Sequence, residues 1–260
     1  MEFVDQLNRK VFLKKTPSRI VSLVPSQTEL LVDFGLRKSI VGITKFCVHP
    51  PDLKEEKKIV GGTKKVNFDK IKALNPDIII CNKEENTEEM VLQLESIAPV
   101  WVSDVKTIAE SLSMIGMLGG IFKKGEKASE IISKIEIQLS ELHQVIKDIR
   151  TRKVLYLIWK DPYMAAGKNT FIDALLQLNN FKNIIDSKAS RYPEIGNMEF
   201  KKADLIFLST EPYPFKKKDV LKLNAEIKEE VKLVDGEFFS WYGSRLIKSL
   251  NYFKTLHKVE

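Results

Sequence analysis

Two stretches of the chain repeat one another in order and spacing, and this echo limits the possible folds more than any other feature. Arg19–Val24 is an apolar run, followed by the polar loop Pro25-Ser26-Gln27 and an amphipathic segment. Lys153–Trp159, followed by Asn169–Leu176, repeats that order 134 residues later. Asn75–Cys81 answers to Lys202–Leu208, with Asp77 and Asp204 offset by 127, and Val100–Asp104 answers to Val231–Asp235, offset by 131. Three matched strands in one order at a near-constant offset predict two similar lobes, and two lobes facing each other make a cleft.

Local pattern supplies the elements of each lobe. Ile20–Val24, Ile40–Ile43, Ile78–Cys81 and Val100–Val102 are short apolar strands, and Gln27–Phe34, Phe68–Leu74 and Thr87–Ser96 carry helical spacing. The βαβα order predicts a mostly parallel sheet covered by helices on both faces. From Glu126 to Ile149 there is no proline or glycine, and Ile131, Ile135, Leu139, Leu142 and Ile146 recur at intervals of three or four. That run predicts one long helix of about 36 Å. Its place between the echoed halves makes it a backbone joining them. The expected class is therefore α/β: two similar lobes, each a mostly parallel sheet flanked by helices, joined by one long backbone helix with the ligand cleft between lobes. The expected boundaries are 1–106 for the N-terminal lobe, 107–150 for the connecting helices and 151–260 for the C-terminal lobe.

Composition narrows the function. A net charge of +7 with 30% charged residues would suit a nucleic-acid surface, but the lysines are scattered, and runs such as Lys216–Lys218 lack interleaved aromatics. A solvated basic surface and no nucleic-acid partner are expected. Cys47 and Cys81 could pair in an oxidising compartment, yet Cys81 ends a strand that reads as buried, which favours a free, inert thiol. Met1–Lys10 shows no uninterrupted apolar stretch and no small-residue cleavage site, so the chain reads either as cytoplasmic or as lacking its leader.

Arg19–Leu30, Val41–Thr44, Pro50-Pro51, Val60–Gly62, Asn67–Ile71 and Leu74–Ile80 resemble the N-terminal lobe of the helical-backbone (class III) substrate-binding proteins of ABC importers. Tyr156–Gly167, Tyr192-Pro193 and Phe239–Arg245 continue the likeness across most of the chain, nearest to the cobalamin-binding members. The resemblance implies capture of a corrinoid or iron-chelate ligand and its delivery to a membrane permease. It also implies a monomer working in the periplasm or otherwise outside the cytoplasm, with no cofactor of its own and no catalytic residues. At matching positions Thr63 replaces an aromatic wall residue, Tyr192 keeps a second, and Glu237 and Arg245 fall near polar cleft positions. Asp69 and Glu199 match the acidic residues by which the family docks on its permease, and Lys64 is placed to meet an acidic ligand side chain.

Ligands of open α/β sheets sit beyond the carboxyl ends of the strands, which directs attention to the loops there. In the first half these are Pro25-Ser26-Gln27, Phe46–His49, Gly61–Lys64 and Lys83–Glu85; in the second, Trp159–Tyr163, Glu211–Tyr213 and Phe238–Tyr242. Trp159, Tyr163, Tyr213, Phe239, Trp241 and Tyr242 make the second set aromatic, which suits a large, rigid, partly planar ligand. A dedicated metal centre is not expected, Cys47 and His49 being the only ligand pair in a candidate loop. An alternative reading is a cytoplasmic tetrapyrrole- or metal-handling enzyme of chelatase type. It would need several His and carboxylate groups converging, and the chain has three histidines in all.

Overall fold

Asp77 and Asp204, the echoed aspartates, do the same job in two places. Asp77 accepts hydrogen bonds at Oδ2 from the Ser18 and Arg19 backbone N–H groups, at 2.8 and 3.0 Å, and returns its own N–H to the Arg19 carbonyl. Asp204 accepts from the Lys153 N–H at 2.8 Å and returns its N–H to the Lys153 carbonyl. Each carboxylate thus fixes the start of the central strand of a sheet.

The computed structural model describes residues 1–186 and 190–257. The chain divides into two units: Met1–Val105 with Ala109–Glu136 and Tyr242–Ile247, and Lys106–Ile108 with Ile137–Trp241 and Lys248–Glu260. The first half of the chain runs β1 (Glu2–Val4), β2 (Lys10–Phe12), β3 (Ile20–Ser22), α1 (Pro25–Asp33), β4 (Ile40–Thr44), α2 (Leu53–Glu56) and β5 (Lys58–Gly61). It continues with α3 (Phe68–Ala73), β6 (Ile78–Asn82), α4 (Glu88–Glu95), β7 (Val100–Ser103), α5 (Ile108–Ile121) and α6 (Gly125–Ile146). The second half runs β8 (Arg152–Trp159), β9 (Met164–Ala165), α7 (Phe171–Leu178), β10 (Phe181–Asn183), α8 (Asn197–Phe200) and β11 (Leu205–Ser209). It ends with α9 (Lys217–Glu226), β12 (Glu230–Val234), α10 (Gly236–Ser240), a 3-10 turn at Gly243–Arg245 and α11 (Leu246–Leu256).

The sheet of the first unit has the order β5-β4-β3-β6-β7 with every pair parallel. That of the second has the order β10-β8-β11-β12, also parallel, with β9 antiparallel on β8. The echo is therefore one of topology: β3, β6 and β7 stand in the same neighbour order as β8, β11 and β12. All residues of β3, β6, β7 and β11 are buried, as expected of parallel strands covered on both faces. Each fully buried aliphatic side chain contributes about 1.5–3 kcal/mol relative to exposure. On one face of the first sheet Val21, Ile79, Cys81, Val100 and Val102 pack with Ile71 and with Met90, Val91 and Leu94 of α4. In the second unit Leu155, Leu157, Ile206 and Leu208 pack with Phe200, Phe215 and Leu223.

Three features depart from the sequence-based expectations. The antiparallel hairpin β1–β2 was not expected, because its strands are three residues long and mostly exposed. It is secured by Asp5, whose buried carboxylate accepts from the N–H groups of Leu7, Arg9 and Val102 and from Arg9 Nε. The long helix α6 ends at Ile146 rather than Ile149 and has 22 residues, about 33 Å. Its buried stripe is Ala128, Ile131, Ile135, Leu142 and Ile146. The division between units falls within it, after Glu136, so the connecting region is shared out rather than separate, and Tyr242–Ile247 belongs to the first unit.

Candidate functional site

In the first unit the carboxyl ends of β3, β6 and β7 meet in a buried polar network. Pro25 occupies the first turn of α1, where a missing N–H costs nothing, and Pro25, Ser26 and Gln27 are all buried. Gln27 Nε2 donates to Ser103 Oγ at 2.5 Å and to the Tyr242 hydroxyl at 3.2 Å. Asn82 Nδ2 donates to the same Ser103 Oγ at 2.9 Å. Ser26 Oγ and Gln27 Oε1 are buried without a hydrogen-bond partner. Burial drives the Tyr242 hydroxyl well above its usual range, with Glu85 adding to the effect, so it stays protonated.

Around this network the loops interlock. Asn82 Oδ1 accepts from the N–H groups of Glu84 and Glu85, at 2.8 and 3.2 Å, which curls that loop back over the strand end. Asn86 Nδ2 donates to the Thr63 carbonyl at 2.8 Å, and Lys64 Nζ reaches the Glu84 carbonyl. Thr63 and Lys64 lie on the turn closed by the Gly62 N–H to the Lys65 carbonyl. Gly61 has φ of +140°, and a Cβ there would lie 2.5 Å from the Lys65 carbonyl oxygen, so only glycine fits. Beside this turn Phe46 is 48% exposed, with Lys45 Nζ 5.0 Å from its ring centroid. The ring rests on Gly62, where an added Cβ would come within 3.2 Å of Phe46 Cε2. Phe46 was not singled out in the sequence beyond its membership of a candidate loop; an aromatic directly after a strand was the available signal.

The carboxyl end of the second sheet gathers aromatic side chains. Trp159 ends β8, is 41% exposed and lies edge-on to Tyr213 at 5.7 Å. The backbone of Arg191 and Pro193 accepts from Gly167 and Ala165, which brings Tyr192 to the β9 edge, and β9 pairs with β8 next to Trp159. Tyr163 is half-buried, its ring against Phe200 at 5.4 Å. Trp241 Nε1 and Ser240 Oγ both donate to Glu211 Oε1, at 2.9 and 2.7 Å. Glu237 stands half-buried on α10.

Several expected site residues have other roles. Phe239 is fully buried, 5.2 Å from the ring of Tyr156, 5.8 Å from Phe207 and 4.8 Å from Phe253, so it is a core residue and not a wall of any open surface. Its place on α10 turns it inward while Glu237 stays half-buried. Arg245 Nε pairs with Glu29 Oε2 at 2.8 Å, both side chains being only 5% and 7% exposed. Cys47 turns its thiol to the hydroxyls of Thr28 and Thr44, at 3.2 and 3.3 Å, and burial pushes it above the usual thiol range. Among the described residues no three His, Cys, Asp or Glu side chains form a metal-holding group. Cys47 and Cys81 are both free and buried.

The two acidic docking candidates differ. Asp69 is exposed in the first turn of α3, which Asn67 caps by accepting from the Lys70 N–H. Glu199 bends back to accept from the Gly196 N–H at 3.1 Å and from Lys202 Nζ at 3.4 Å. Partial burial works against its ionisation, but the backbone N–H groups and Lys202 prevail and hold it below the usual carboxylate range.

The periplasmic binding protein family model matches residues 20–233. An ABC transporter substrate-binding lipoprotein of Bacillus subtilis, YvrC, is 30% identical over 190 residues, 69% of this chain and 59% of its own length. A vitamin B12-binding protein of Pectobacterium atrosepticum is 22% identical over 186 residues, 69% of this chain and 66% of its own length. The matches thus span less than two thirds of these relatives. Among solved structures, the petrobactin-binding protein YclQ of Bacillus subtilis superimposes with a TM-score of 0.84 at 17% identity, covering 100% of this chain and 99% of that one. At that identity the likeness is one of fold.

Proposed function

Because the chain belongs to the periplasmic binding protein family, we propose that it is the solute-binding component of an ABC importer. It captures a corrinoid of cobalamin type or an iron chelate and passes it, unchanged, to the membrane subunits of a permease outside the cytoplasm. The family match across both sheets carries this reading, and the chemistry at the strand ends supports it. Trp159, Tyr163 and Tyr192 offer aromatic surface, Thr63, Lys64 and Glu237 offer polar groups, and the buried Pro25, Ser26, Gln27, Trp241, Tyr242 and Arg245 complete the proposed ligand set. Phe46 supplies the flat face that Thr63 does not. Asp69 and Glu199 are the proposed permease contacts, where paired charges set register and steer encounter.

The chelatase alternative draws no support from the described residues, since no cluster of His and carboxylate groups is there to take protons and guide an ion. Titration of the protein with cyanocobalamin, cobinamide, haemin and ferric siderophores, followed by tryptophan fluorescence, tests the proposal. At least one should quench the signal saturably, because Trp159 is exposed at a strand end. Replacement of Trp159 with alanine should weaken that ligand about tenfold, the loss expected for an aromatic contact of about 1–1.5 kcal/mol. Silence with all four compounds defeats the ligand class.

A further inference from the structure

Glu211 is the one carboxyl group at the carboxyl end of β11, and its surroundings are built around it. Ser209 Oγ donates to the Glu211 carbonyl at 2.6 Å and accepts the Tyr156 hydroxyl at 3.1 Å, which fixes the backbone. The start of α10 lies directly against it. A Cβ at Gly236 would fall 2.5 Å from Glu211 Cγ and 2.7 Å from the Glu211 backbone nitrogen, so glycine alone admits this approach. The Gly236 N–H is taken by Thr210 Oγ1 at 2.9 Å. In this fixed frame one oxygen of Glu211 receives both the Ser240 hydroxyl and the Trp241 indole N–H.

We propose that Glu211 is a proton-responsive positioning residue: its charge holds Trp241 and Ser240 in place at the carboxyl end of the second sheet, and loss of that charge loosens them and weakens ligand capture. A carboxylate accepting two donors binds each more strongly than a neutral carboxyl does, so the two protonation states hold the indole differently. The titration is displaced upward. Burial pushes the carboxyl above the usual range, the Ser240 hydrogen bond opposes this, Glu237 adds to it, the Trp241 hydrogen bond opposes it and Asp235 adds to it. The Tyr156 hydroxyl on β8 also faces the group; burial drives it well above its usual range, and it remains neutral. Because the displacement is upward, the charge on Glu211 is lost on acidification before an ordinary glutamate would protonate. The same sign makes the charged form a cost to the fold. That cost is absent below the ordinary glutamate value and is complete above the raised one.

Tryptophan fluorescence of the ligand-free protein from pH 4 to pH 8 tests the coupling without relying on the proposed function. The wild-type emission should change in one step with a midpoint above the ordinary glutamate value. Glu211→Gln keeps an acceptor for both donors but cannot titrate, so its emission should be flat while its melting temperature at pH 7 stays equal or rises. Glu237→Gln removes a repelling charge and should lower the midpoint without abolishing the step. Trp241→Phe should remove the step, since it removes the reporter. The proposal fails if the step survives in Glu211→Gln, if Glu237→Gln leaves the midpoint where it was, or if Trp241→Phe still shows it. A further arm rests on the proposed capture of a ligand: with a ligand identified by the titration above, wild-type affinity should fall about tenfold across the same step, and Glu211→Gln should show no such fall. A wild-type step with no accompanying loss of affinity overturns the link to capture while leaving the solute-binding reading intact.

Discussion

Replacement of Arg245 with alanine lowers the stability of the protein by about 3–5 kcal/mol, the cost of leaving a buried charge without its partner. The side chains of Arg245 and Glu29 are both more than nine-tenths buried, and their 2.8 Å ion pair joins the Tyr242–Ile247 segment to α1 within one unit. Further bonds join the same segment to that unit, among them Gln27 to the Tyr242 hydroxyl and the Gly243 N–H to Ser111 Oγ. The charge pair is the one whose rupture is most costly, because a carboxylate left in the interior cannot recover its hydration. Urea unfolding followed by far-UV circular dichroism reads the loss directly. The double replacement Glu29→Leu with Arg245→Met should recover most of it, since apolar side chains of similar volume commonly match a buried pair. A cost below about 1 kcal/mol for Arg245→Ala would place the pair among ordinary surface bridges. The double variant also separates the two roles of Arg245: unaltered ligand affinity in it would remove Arg245 from the proposed contacts.

Phe239→Ala has the second large effect, about 3–5 kcal/mol, and it acts on stability alone. The ring is sealed among Tyr156, Phe207 and Phe253, at centroid separations of 4.8–5.8 Å, and truncation leaves a cavity that this rigid cluster does not close. The contrast is with Trp159→Ala, at an exposed strand end, which should leave the unfolding midpoint nearly unchanged. Together the two variants divide the aromatic residues of the second unit into those that build the core and those available to a ligand. Loss of ligand affinity in Phe239→Ala with native stability would reverse that division.

The parts of the fold visible in the sequence are those governed by local rules. Short apolar runs such as Ile78–Cys81 and Leu205–Leu208 read as strands covered on both sides, so two similar, mostly parallel sheets followed from the echo, while the neighbour order β3-β6-β7 and its copy β8-β11-β12 is seen only in the structure. The echoed aspartates were visible as a pattern, but their service as brackets on the central strands was not. The hairpin β1–β2 carries no hydrophobic alternation and depends on Asp5 finding the Val102 N–H nearly a hundred residues away. That the site residues follow strand ends was equally legible, but that Pro25, Ser26 and Gln27 open α1, that Phe239 lies on α10, and that these residues are buried was not. Arg245 meets Glu29 across 216 positions, a pairing that no local spacing announces. Phe239 read as a loop aromatic because one turn of helix, α10, decides which of its neighbours faces inward. Glu211 was named only within its loop, since its significance depends on Gly236 giving α10 room to approach.

The central claim is that this protein holds its ligand without transforming it. Equilibrium dialysis against the ligand that quenches tryptophan fluorescence, followed by denaturation and mass spectrometry of what is released, measures this directly. The expected result is one equivalent bound per chain and recovered at its original mass, including any metal it carried. Recovery of a demetallated, metallated or otherwise altered compound would contradict the claim and make the protein an enzyme.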